Sequence, residues 1–109
     1  MDLKLKGKVA IITGGSDGIG KAAALSLSRE GARVAIAART EATLANAAKE
    51  IIDETGNEVI GIPTDVTDEA QVEALINEVV SKWGGIDILV NNAGTSSVAR
   101  LQDLSNEQM

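Results

Sequence analysis

Apolar residues recur along this chain in two alternating ways, as short unbroken runs and as stripes spaced three and four apart, and the alternation predicts strands and helices in turn. Residues 8–13 form a short β-rich run that ends in a glycine loop. Residues 20–29 follow as a helix, with Ile19, Ala23 and Leu27 on one stripe, and Gly31 closes it in a position suited to the left-handed conformation. Residues 33–38 read as a second buried strand. Thr40 is placed to cap a second helix, whose apolar residues are Leu44, Ala47, Ala48, Ile51 and Ile52 and which Gly56 ends. Residues 58–62 read as a third strand, running into "PTDVTDEAQ". Thr67 or Asp68 caps the helix after it, and Val72, Leu75, Ile76, Val79, Val80 and Trp83 give that helix the cleanest 3.6-period stripe in the chain. Gly84 and Gly85 break it. Residues 86–90 form a fourth strand, apolar enough to be covered on both faces.

Strict alternation with short connections implies parallel pairing and right-handed crossovers, so the expected fold class is α/β, a doubly wound parallel sheet. No linker, internal repeat or low-complexity tract divides it. In such sheets ligands bind beyond the carboxyl ends of the strands. Those ends read "TGGSDGIG", "AART", "TDVT" and "NNAG", all polar or glycine-rich.

Composition then removes several chemistries. With 109 residues, 44% of them hydrophobic, the chain can bury one core and is expected to be one domain or part of one. It has no Cys, which excludes disulfides, thiolate zinc sites and a thiol nucleophile. His and Tyr are absent too, leaving acid–base work to carboxylates, Lys or a cofactor. The net charge of −6 has the wrong sign for binding nucleic acid or an anionic membrane. The start has Lys4 and Lys6 but too short an apolar run for a signal peptide, and nothing approaches a membrane span. A cytoplasmic protein is expected.

The segment "IITGGSDGIGKAAALSL" admits two readings. From Gly15 it runs G-x-x-x-x-G-K-A, close to a nucleoside triphosphate P-loop. That loop needs a hydroxyl directly after the Lys to ligate magnesium, and Ala22 follows Lys21. Asp65 could imitate a second magnesium ligand, but acids at strand ends are common. Lys21 is more simply a solvated residue of the first helical turn. In the other reading Gly14, Gly18 and Gly20 let the backbone approach a pyrophosphate, while free N–H groups at the helix start favour its charge.

"TGGSDGIG" after the first strand, "NNAG" after the fourth and Asp65-Val66 after the third together resemble the short-chain dehydrogenases/reductases, nicotinamide-dependent oxidoreductases with a T-G-x-x-x-G-x-G loop. The resemblance covers essentially the whole chain. It implies an NAD(P)-binding Rossmann domain, of which residues 1–109 would be the N-terminal part. It further implies that Gly14, Ser16, Gly18, Ile19 and Gly20 line the cofactor's phosphates and adjoining ribose, and that Asp65 and Val66 flank the adenine. Asn92, Ala93 and Gly94 would lie along a ribose, and Thr13 and Asn91 would brace their two loops. At the end of the second strand an NAD site usually carries an acid. This chain has Ala38 and then Arg39, whose forked donors suit a 2′-phosphate, so NADP is the expected cofactor and NAD the runner-up. Asp17 departs from the pattern, since an acid there weakens phosphate binding. Ala38 and "NNAG" also argue against a methyltransferase.

The family's catalytic Ser, Tyr and Lys lie beyond the "NNAG" strand. "LSNEQM" offers Ser105 and Gln108 as a capping box at the end of the sequence, which suggests an N-terminal fragment, roughly half of an enzyme. Two readings therefore stand: the cofactor-binding part of an oxidoreductase acting on a small carbonyl or alcohol, or a non-catalytic nucleotide-binding or interaction module complete as it stands. On the first, the chain alone should be inactive. In the family's sheet order the next strand would pair with the fourth; without it the fourth strand is left as an edge, which should favour association, and a homo-oligomer is expected.

Overall fold

The computed structural model describes residues 5–14 and 18–92. Its elements run β1 (Val9–Thr13), α1 (Gly18–Arg29), β2 (Arg33–Ala38), α2 (Glu41–Thr55), β3 (Val59–Pro63), α3 (Glu69–Trp83) and β4 (Ile88–Asn91). The strands form one parallel sheet in the order β3-β2-β1-β4. Chain order runs outward from β1 to β3 and then returns to β1's other side. The reversal leaves a topological switch point between β1 and β4.

Side chains alternate across a strand, so each strand feeds two cores. Ile12, Val34, Ile36 and Val59 meet Ala24, Leu44, Ala47, Ala48 and Ile51 of α1 and α2 on one face. Val9, Ile11, Ala35, Ala37 and Ile62 meet Leu75 and Val79 of α3 on the other. The result is helix, sheet and helix in three layers. In β3, Gly61 lets α2 come close: a Cβ there would lie 3.0 Å from Leu44 Cβ.

Three details differ from the periodicity. The buried stripe of α1 is Gly20, Ala24 and Ser28; Ala23 and Leu27 are half-buried and Ile19 is 78% exposed. Small residues let α1 lie close to the sheet, and the larger ones are displaced to its flanks. Ile52 and Val80 are likewise exposed, because α2 and α3 bury narrower stripes than their apolar residues allow. Finally, β3 is shifted by one residue and β4 begins at Ile88. Before β4, Asp87 Oδ2 accepts from the Val9 amide at 2.9 Å, and the Asp87 amide donates to the Val9 carbonyl at 2.9 Å. β4 is half-buried throughout, short of full cover on both faces.

The helix ends follow local chemistry. Gly56 and Gly84 close α2 and α3 at φ 73° and 87°, each amide reaching back to a helix carbonyl. Asp68 caps α3, its carboxylate accepting from the Ala70 and Gln71 amides. Thr40 occupies the N-cap of α2 without a side-chain bond; its carbonyl instead accepts from the Leu44 amide and the Thr43 hydroxyl. α1 and α2 are tied at their surfaces by Lys21 with Glu50 and by Arg29 with Glu54 at 2.6 Å. Lys21 is thus engaged with α2, not simply solvated.

Candidate functional site

At the switch point the backbone turns away from β1 through Gly14, in the left-handed region at φ 71°. Its amide donates to the Ala37 carbonyl at 2.6 Å, which anchors the loop's first residue to β2. Thr13 is 2% exposed, and its hydroxyl donates to Asn91 Oδ1 at 2.9 Å. The Asn92 amide returns to Thr13, reaching its hydroxyl at 3.1 Å and its carbonyl at 3.2 Å. A buried Thr without such partners would be costly. With them, it fastens the loop after β1 to the segment leaving β4, the bracing expected of Thr13 and Asn91.

α1 starts at Gly18 with no acidic side chain in its first turn, so its positive end is not neutralised from within the helix. Gly18 is exposed, and a Cβ built on it meets nothing within 4 Å. Gly20 is buried and Ile19 is exposed to solvent in the first turn of α1. Gly14, Gly18, Ile19, Gly20 and Asn92 therefore gather around the switch point. Ser16, Asp17, Ala93 and Gly94 lie outside the described residues, as do Ser105 and Gln108 of the capping box.

A second cluster forms where β2 and β3 end. The Thr64 amide donates to the Ala38 carbonyl at 2.7 Å, holding the two exits side by side. Arg39 projects from one, 74% exposed in its side chain, and Asp65 from the other, 36% exposed. Arg39 Nε lies 3.8 Å from Asp65 Oδ1. The same oxygen accepts from the Thr67 hydroxyl at 2.6 Å and the Thr67 amide at 2.9 Å. Those two bonds, with a smaller contribution from the Arg39 charge, hold the Asp65 carboxyl below its ordinary pKa despite partial burial. The Asp65 amide donates to Gln71 Oε1 at 2.8 Å, which ties the turn to α3. Val66 is half-buried beside it. The Arg39–Asp65 pair and the Thr67 anchor escaped the sequence reading; the only local sign was the D-x-T spacing of an Asx turn.

At the opposite end of the sheet a depression of about 380 Å³ is lined by Lys6, Arg29, Glu30, Arg33, Asn57 and Glu58. Arg33 is paired with Glu58 and Arg29 with Glu54, so its charges are largely balanced. The strand carboxyl ends carry the better site, because glycine backbone, a helix start and two polar clusters converge there. Among the described residues no group of acids could hold a metal ion, and no helix is long and apolar enough to cross a membrane.

The parallel four-stranded sheet, flanked by helices and opening at its switch point, is Rossmann-like. Residues 8–109 match the short chain dehydrogenase family, and the chain belongs to it. It is 44% identical to a sorbitol dehydrogenase of Cereibacter sphaeroides over 106 residues, covering 96% of this chain and 40% of that protein. Among solved structures it is similar to the L-sorbose reductase of Gluconobacter frateurii complexed with NADPH and L-sorbose. That likeness has a TM-score of 0.83 and 44% identity, over 87% of this chain and 36% of the reductase. An NAD+-bound xylitol dehydrogenase follows at TM-score 0.80 and 38% identity, covering 84% of this chain and 35% of the other. The chain thus spans about two fifths of the length of these relatives.

Proposed function

We propose that residues 1–109 form the N-terminal, cofactor-binding part of an oxidoreductase that uses NADP(H), with NAD as the alternative, on a small carbonyl or alcohol. The dinucleotide, when bound, supplies the hydride donor or acceptor. The observation that carries this reading is the switch point, where Gly14, the open start of α1 and the Thr13–Asn91–Asn92 brace meet beyond β1 and β4. On it, Gly14, Ser16, Asp17, Gly18, Ile19 and Gly20 surround the pyrophosphate and adjoining ribose. Asn92, Ala93 and Gly94 follow the ribose, and Asp65 and Val66 border the adenine. The open space at Gly18 fits such a group, since a side chain there would occupy it.

The preference for NADP rests on Arg39, an exposed guanidinium at the end of β2 where an NAD site usually carries an acid. The NADPH complex of the sorbose reductase supports it. Arg39→Ala should weaken NADP+ binding by about 1–3 kcal/mol, the scale of a charge-assisted hydrogen bond, and leave NAD+ nearly unchanged. Calorimetric titration with both dinucleotides checks this; equal losses would overturn the role. Because the sequence contains no Tyr, the same reading makes residues 1–109 alone inactive, and NADPH-dependent carbonyl reduction by that purified polypeptide would contradict it. It also places the protein in the cytoplasm, which localisation of the tagged protein tests. Homo-oligomerisation belongs to the reading as well, and a sedimentation profile that stays monomeric at high micromolar concentration would count against it.

A further inference from the structure

We propose that Asp65 limits the preference for a 2′-phosphorylated cofactor by acting as an internal competitor for Arg39. The inference rests on the adenosine end of the dinucleotide lying at the close of β2 and β3, as proposed above, and adds a residue that tunes discrimination there.

Three contacts converge on Asp65 Oδ1: the Thr67 hydroxyl, the Thr67 amide and, at 3.8 Å, Arg39 Nε. The two Thr67 bonds hold the carboxylate within a turn that Gln71 secures to α3. The same bonds hold its pKa below the ordinary carboxyl value. Arg39, by contrast, is the more exposed partner. Its contact is too long for a hydrogen bond, and its side chain is largely exposed. A hydrogen-bonded negative charge beside a more exposed positive one has two consequences. It draws the guanidinium toward the turn, and it repels any dianion that approaches the guanidinium. A 2′-phosphate must therefore exchange with Asp65 for Arg39, whereas an adenosine with a free 2′-hydroxyl meets no such competition. Asp65 thereby narrows the gap between the two cofactors, and Thr67 acts as the positioning residue that holds it there.

The test uses adenosine 2′,5′-bisphosphate and 5′-AMP, which differ only in the 2′-phosphate, titrated calorimetrically into the protein in its encoded length. The readout is the ratio of their dissociation constants, in which any loss of adenine contact common to both probes cancels. Asp65→Asn should raise the preference for the bisphosphate about 3- to 10-fold at low salt, and the gain should shrink as salt screens the charges. Asp65→Ser retains an acceptor for the turn without the charge and should behave alike, which separates charge from folding. In an Arg39→Ala background the gain should vanish, since the competition requires both partners. An unchanged or reduced preference in both Asp65 variants, or a gain that survives Arg39→Ala, would overturn the proposal while the adenosine site stands. If the wild-type protein binds neither probe, the adenosine-site reading falls and this proposal with it.

Discussion

β2 and β4 are both apolar strands beside β1, yet the sheet treats them differently. Residues 34–37 of β2 are fully buried, enclosed by strands on both sides and helices on both faces, whereas every residue of β4 is only half-buried. The residue types scarcely differ; the neighbours do. Burial of a strand is a property of its place in the sheet order, and the energetic weight of its side chains should follow that place.

The strongest way to break this comparison is to truncate one side chain in each strand. Ile36→Ala, at 0% exposure, should cost about 2–5 kcal/mol. Val90→Ala, half-buried, should cost about 1 kcal/mol. Chemical denaturation monitored by circular dichroism measures both, and equal losses would show that β4 is as enclosed as β2. A somewhat smaller effect should come from the other margin of the sheet. Gly61→Ala places a methyl group 3.0 Å from Leu44 Cβ and 3.3 Å from its carbonyl oxygen, so β3 or α2 must move. About 1–3 kcal/mol of destabilisation is expected in the same assay, because β3 is pressed where β4 is loose.

Next in size is the contact that fastens β4's approach to β1. Asp87→Ala leaves the amide of buried Val9 without its carboxylate partner and should cost about 1–2 kcal/mol. Asp87→Asn retains an acceptor and should recover most of that loss; failure to recover it would assign the effect to charge. The smallest effect lies in the polar turn beyond β3. Thr67→Val removes the shortest bond to Asp65 and should raise its pKa toward 3.8, as read by NMR titration of the carboxyl. Because the folded value is depressed, the turn's contribution to stability is present above the ordinary unfolded pKa. It is lost as pH falls through the folded value. The variant should begin to lose its remaining turn at a higher pH than the wild type.

These contrasts also mark what the chain discloses by itself. Gly56 and Gly84 announce their helix ends because a left-handed residue is a local requirement, and the elements and their order follow from periodicity. The face that α1 buries was hidden. Gly20, Ala24 and Ser28 attract no notice on a hydrophobicity scale, and their value lies in the close approach they permit to a sheet built elsewhere in the chain. Thr67 and Asp68 were equal candidates for a cap until Asp65 engaged Thr67, leaving Asp68 to α3. At the candidate site, the glycines and the Thr13–Asn91 brace were legible as a pattern at two strand ends. The Arg39–Asp65 pair was not, because it depends on β2 and β3 lying adjacent and in register.

The Thr13–Asn91 bond joins residues 78 positions apart. Closing so long a loop carries an entropic cost, and reliance on contacts of such sequence separation goes with slower folding. β1, α1 and β2 are successive in the chain, but the brace on Thr13 requires Asn91 and Asn92, which α2, β3 and α3 separate from them in sequence. A chain without β4 would hold Gly14 and still lack this brace. The brace thus depends on completion of the four-stranded sheet.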